Sequence, residues 1–217
     1  MTTGAAATPT EAQHLLVGET NVMPLRVEQY QKMVEIGMLP EHASVELLDG
    51  LLVIKDRRDG EGDIMTEGRF HRAIRGLLAE LIADQLDRSI AFVDQNSPFE
   101  LKPFSVPEPD VYVARGTRRD YFQKLPAASD MLLVAEIAHS SLPGDRSSKF
   151  ARYASAGIPN YWIVNVPASI VEAWSAPVPE KNIYTKSTVY QRDDTISLDL
   201  LPDLGLTVAA KDFLPEE

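Results

Sequence analysis

A chain of 217 residues is long enough to bury one substantial core, and the absence of cysteine excludes disulfides, thiolate catalysis and cysteine-bound zinc. Its formal net charge of −11 counts against a nonspecific nucleic-acid binder, which draws its affinity from neutralising phosphates. That charge still admits a locally basic cleft, or clustered carboxylates offset by metal ions. No apolar run reaches the roughly 18 residues of a membrane span, and the lack of cysteine fits a cytoplasmic protein.

In chain order, residues 1–20 are expected to form a disordered leader: the stretch Met1 to Gln13 is rich in Ala and Thr, with no basic segment before an apolar one. Residues 21–217 are expected to form one domain. Leu25 to Ile36 has helical spacing and stops at Gly37. Val45–Ile54 carries Asp49-Gly50 between two apolar runs, a strong hairpin signal. Glu46 lies in the first run and faces away from Val45 and Leu47; taken alone, it reads as a solvent-facing edge residue. Met65 to Leu86 is the longest predicted helix, with a stripe of Phe70, Ile74, Leu77, Leu78, Leu81 and Ile82. His71 sits on its flank, open to a structural or a site role.

Ile90 to Val93 reads as a short strand, and Phe99 to Leu101 as a second candidate. Two acids then stand out. Asp110 lies near the start of a predicted strand, Val106–Val113, and Glu136 lies inside another, Met131–Ala138. By strand alternation Glu136 shares a face with Leu132 and Val134, where a carboxylate is costly unless something neutralises it. Arg115 to Leu125 is polar, and Arg118, Arg119 and Lys124 make the chain's nearest approach to a basic patch. A helix is predicted from about Arg146 to Ala156, with Asp145 as its N-cap and Gly157 as its stop. Lys149 and Tyr153 share one face of it, Tyr153 serving either the core or a site. Strands follow at Tyr161–Val164 and Ile170–Trp174, with a late strand or hairpin arm over Val189–Leu198. This order predicts a mixed sheet with helices packed on it.

Asp110 and Glu136 are hard oxygen donors of the kind Mg²⁺ or Mn²⁺ prefers. A lysine beside them could polarise or deprotonate an attacking water, or stabilise charge developing on a phosphate. Together these are the parts of metal-assisted hydrolysis.

The block Glu136-Ile137-Ala138-His139-Ser140-Ser141-Leu142, with Asp145-Arg146, Lys149, Tyr153, Ala156-Gly157-Ile158 and Tyr161-Trp162-Ile163-Val164, resembles the Uma-two family of putative restriction endonucleases, within the PD-(D/E)xK nuclease superfamily. Pro109-Asp110, His71 and Glu46-Leu47-Leu48-Asp49-Gly50 extend the likeness. The resemblance implies an α/β fold: a restriction-endonuclease-like mixed sheet flanked by helices, with an N-terminal helix and β-hairpin. It implies Mg²⁺-dependent (or Mn²⁺-dependent) hydrolysis of DNA phosphodiester bonds. Asp110 and Glu136 match the metal-binding acids, the backbone carbonyl of Ile137 a further ligand, and Glu46 an additional acid. The superfamily lysine position, two residues after the second acid, holds Ala138 here; Lys149 is similar to the family's displaced lysine. His139 and Asn165 stand where the family often has acids, which bears on a second metal position. The alternative function is a non-cleaving interaction protein on the same scaffold. By analogy with enzymes that cut both strands of a duplex, a homodimer is expected.

Overall fold

The computed structural model describes residues 23–39, 45–54, 68–139, 141–202 and 204–216. The expected leader lies outside the described residues, as does the start of the long predicted helix. The chain divides into two compact units, one of Met1–Asp56 with Glu100–Pro107 and one of Arg57–Phe99 with Glu108–Glu217.

The smaller unit holds helix α1 (Val27–Glu35) and a hairpin of β1 (Val45–Leu48) and β2 (Leu51–Ile54). Asp49 and Gly50 both have positive φ, 52° and 82°, the backbone that a tight two-residue hairpin turn requires. Gly50 is needed twice over, because a Cβ there would lie 2.3 Å from that of Pro24. The hairpin is tied down at both ends of the unit. Tyr30 donates to the Val45 carbonyl at 2.6 Å, and the Val106 amide donates to Leu47 at 2.7 Å.

The larger unit is built on a six-stranded sheet in the order β3-β4-β5-β6-β7-β8. Its strands are β3 (Ala91–Gln95), β4 (Val111–Arg115), β5 (Met131–Ala138), β6 (Asn160–Asn165), β7 (Ile170–Val178) and β8 (Ile183–Gln191). Only β5 and β6 run parallel, and the chain between them is the helical crossover that a parallel pair demands. A separate hairpin joins β9 (Thr195–Leu201) to β10 (Leu204–Ala209).

Strand alternation sorts the side chains into two layers. Val111, Val113, Leu133, Ala135, Ile137, Trp162, Val164 and Val171 form one core with Ile74, Leu78 and Ile82 of helix α2 (Arg69–Ala83) and with Ile196, Leu206 and Phe213. The alternate positions, Tyr112, Val134, Glu136, Tyr161 and Ile163, face the other way. The stripe predicted on the long helix thus splits: Ile74, Leu78 and Ile82 are buried, whereas Phe70 and Leu77 are exposed. Two more expectations need correction. Residues 106–110 are not part of β4, which starts at Val111. The late arm expected over 189–198 straddles the end of β8 and the start of β9, whose exposed, polar β8 has no hydrophobic alternation to announce it.

Candidate functional site

In β4 and β5 the register pairs Val111 with Ala135, so Asp110, the residue just before β4, comes level with Glu136 along the chain. Asp110 is turned inward by two contacts. Its Oδ2 accepts from the Ile137 amide at 2.7 Å and lies 3.1 Å from Nε2 of His71 on α2. His71 thus contacts Asp110 directly. The Ile137 amide leaves the strand by the edge that β4 vacates, and its carbonyl leaves by that same edge.

Glu136 is 1% exposed, in a strand whose every residue is buried. Removing a carboxylate from water costs several kcal/mol, and close partners must offset it. Tyr153 Oη donates to Glu136 Oε1 at 2.8 Å, and Lys149 Nζ sits 2.9 Å from Oε2. Tyr153 thus touches Glu136 through its hydroxyl and the core through its ring, which stacks on Phe99 at 6.1 Å.

Lys149 reaches the sheet from the crossover. That segment is α3 (Leu142–Gly144), a π-helical turn over Asp145–Lys149 and α4 (Phe150–Ser155) in unbroken succession. The predicted N-cap at Asp145 is therefore corrected: Asp145 lies inside the helical run and is buried. Its Oδ1 is 2.8 Å from Lys149 Nζ, its Oδ2 accepts from Ser141 Oγ at 2.7 Å, and Tyr161 Oη donates to its carbonyl at 3.0 Å. The ammonium is thus clamped between two carboxylates while a quarter of the side chain, 26%, stays exposed. Burial lowers the Lys149 pKa, but Glu136 and Asp145 more than offset this and leave it well above the ordinary lysine range. Tyr161 is likewise pushed up, by burial first and then by the same two acids, and stays a neutral donor.

Asp145 is the residue that sequence reasoning placed in the wrong role. The signal for it was present: Asp145, Lys149 and Tyr153 recur every four residues, which puts them on one helix face. A second cluster was missed outright. Arg146 grips Glu172 through two hydrogen bonds, and Asn165 Nδ2 donates to the same carboxylate at 3.3 Å. Asn165 is thus engaged with Glu172 and with the turn after β6, while His139 is exposed at the end of β5. Glu46 sits in β1 of the smaller unit and is buried, not solvent-facing as its strand position alone implied.

Among the described residues no three His, Asp or Glu side chains gather as a ready metal cage. That does not exclude Mg²⁺, which characteristically takes one or two carboxylates and fills its remaining positions with water and phosphate. Asp110, Glu136 and the edge carbonyl of Ile137 would together offer oxygen donors of that kind.

A family model described as Uma2, "Putative restriction endonuclease", matches residues 27–209. Among solved structures, a putative nuclease belonging to DUF820 from Anabaena variabilis superposes with a TM-score of 0.62 at 16% identity, over 88% of this chain and 97% of that one. The likeness carries the fold: the α/β mixed sheet expected from the sequence is the one this neighbour shares. No curated protein sequence matches the chain.

Proposed function

The chain belongs to the Uma2 family of putative restriction endonucleases, and on that premise we propose that it is a metal-dependent endonuclease hydrolysing DNA phosphodiester bonds. The observation that carries the reading is that Asp110, just before β4, bonds the amide next to Glu136 in the adjacent β5, with the Lys149 ammonium 2.9 Å from Glu136. Asp110, Glu136 and the Ile137 carbonyl would hold Mg²⁺ or Mn²⁺. When bound, the ion supplies Lewis-acid charge that favours attack by water on a phosphodiester.

The chain's own residues supply the rest. His71 and the Ile137 amide hold the Asp110 carboxylate in place, and Tyr153 holds one oxygen of Glu136. Lys149, raised well above its ordinary range, is an ammonium at neutral pH. It therefore serves as a donor to phosphate oxygens, where negative charge grows during hydrolysis, and does not take a proton from water. Asp145 aims it. Glu46 enters the proposal as an additional acid on the strength of its family position.

The net charge of −11 favours the second reading, a non-cleaving interaction protein on the same scaffold. Plasmid DNA incubated with Mg²⁺ or Mn²⁺ separates the two. The enzyme reading expects nicking or linearisation by the wild type that is lost in Asp110→Asn and Lys149→Ala with the fold intact by circular dichroism. Cleavage that survives both substitutions removes the site assignment; a wild type that never cuts favours the second reading. Pairing of two chains, proposed because cutting both strands suits two-fold symmetry, is checked by light scattering; a monomer at every concentration overturns it. No helix among the described residues is long and apolar enough to cross a membrane.

A further inference from the structure

The sheet face that carries Glu136 also carries a groove of ≈ 320 Å³ at the β3–β4 edge, within the larger unit. The β3–β4 register pairs Asp94 with Tyr112 and Phe92 with Ala114, which puts Phe92, Asp94 and Tyr112 on that face. Tyr121, Phe122, Arg118 and Lys124 close the groove from the connection that follows β4. Tyr112 is two residues past Asp110, so the groove begins roughly 7 Å along the chain from the candidate site.

Its chemistry is unlike the rest of this acidic protein. Between 115 and 124, Arg115, Arg118, Arg119 and Lys124 stand against a single acid, Asp120. Cations and rings alternate: the Arg118 guanidinium lies 5.5 Å from the Phe92 ring centre and Lys124 Nζ lies 5.6 Å from that of Tyr121. Both distances are within cation–π reach. The Phe92 and Tyr121 rings are 5.5 Å apart and tilted at 45°, a packed pair that floors the groove. Tyr121 is pinned through its hydroxyl to the Arg115 carbonyl, and burial first, then Asp130 and Asp120, push its pKa up to about 12, leaving it uncharged. Phe122 is 75% exposed, an apolar ring held in water at the groove's rim. The carboxylate in the lining, Asp94, is offset by Arg118 at 3.0 Å, and the same guanidinium donates to the Val93 carbonyl. Lys124 is then the cation best placed for an incoming anion.

We propose that this groove binds one unpaired nucleotide of a DNA strand, its base against the Phe122 and Tyr121 rings and its phosphate at Lys124. The inference deepens the nuclease reading and rests on it for the identity of the polymer. Stacking on aromatic rings beside a cationic track is how proteins hold single strands without reading sequence. The volume argues the same way: it lies at the small end of ligand sites, about 300–1,000 Å³, with room for one nucleotide and not for a duplex.

Fluorescence anisotropy tests the proposal without cleavage, using wild-type protein in EDTA with a labelled oligothymidylate and a duplex of equal length. Phe122→Ala is expected to weaken single-strand binding about tenfold, leaving duplex binding nearly unchanged. Lys124→Ala is expected to reduce the slope of log affinity against log salt by about 0.7 for the single strand. Both side chains are exposed, so thermal melting should match the wild type. An unchanged single-strand affinity in Phe122→Ala, an equal loss for both probes, or no wild-type binding at low salt would each overturn the groove assignment. Because the readout is binding without metal, an absence of nuclease activity fails separately, in the plasmid assay.

Discussion

The two charged regions on one face of the sheet are built on opposite terms. Around Glu136 the acids are buried and every charge is answered: the ammonium of Lys149 meets Glu136 and Asp145, and hydroxyls of Tyr153 and Ser141 meet the same acids. Around Phe122 the cations are exposed and lie against aromatic rings. Changes at the first region should therefore cost folding as well as chemistry. Changes at the second should cost binding alone.

The largest expected effect is on activity. Asp110→Asn keeps the shape and the hydrogen bond from Ile137 but removes the charge that a divalent cation needs. Since even partners of metal ligands are worth about 10- to 100-fold, cleavage should fall by more than about 100-fold in a plasmid assay. Lys149→Met comes next and strikes stability. It strands two buried carboxylates, and breaking such a cluster from one side costs about 3–5 kcal/mol, readable by urea unfolding. Its pH dependence has a definite sign. A lysine raised on folding contributes stability in full below its unfolded value, near 10.4, and loses it only as pH climbs through the higher folded value. The difference between wild type and Lys149→Met attributable to Lys149 ionisation should therefore hold steady from pH 7 to pH 9; a difference that fades across that window would show the ammonium is not held by its neighbours.

Tyr153→Phe should be milder. It deletes one hydrogen bond to a charged group, about 1.5–3 kcal/mol, and frees Glu136 to turn, so both the melting temperature and kcat should drop. Phe122→Ala closes the series: within about 0.5 kcal/mol of wild type in stability, as exposed positions usually are, yet altered in single-strand binding. If Phe122→Ala instead lowered the melting temperature by as much as Tyr153→Phe, the contrast between the two regions would fail.

How far the sequence revealed this contrast depended on burial. Glu136 was legible because strand alternation put a carboxylate among apolar neighbours, and such an anomaly demands a partner. The β1–β2 hairpin was legible because Asp49-Gly50 is a turn of local origin, needing no tertiary context. Asp145 was misread because a capping residue and a buried counterion look alike one residue before a helix; only the π-helical turn over Asp145–Lys149 shows that the helix starts earlier. The grip of Arg146 on Glu172 was invisible, since it joins the crossover to β7 between residues 26 positions apart. Strand β8 was missed because its side chains are mostly exposed, and pairing with β7, not hydrophobic pattern, defines it. The cations at Arg118 and Lys124 were noticed as a patch, but the rings beside them come together only through the β3–β4 register.

The central claim is that Asp110 and Glu136 jointly hold a divalent cation. Anomalous scattering from crystals soaked in Mn²⁺ tests it most directly. The account predicts a single strong peak about 2–2.5 Å from a carboxylate oxygen of each acid, within reach of the Ile137 carbonyl, and its disappearance in Asp110→Asn. A peak bound elsewhere, or Mn²⁺ that ignores these two carboxylates while the protein still cuts DNA, would contradict it.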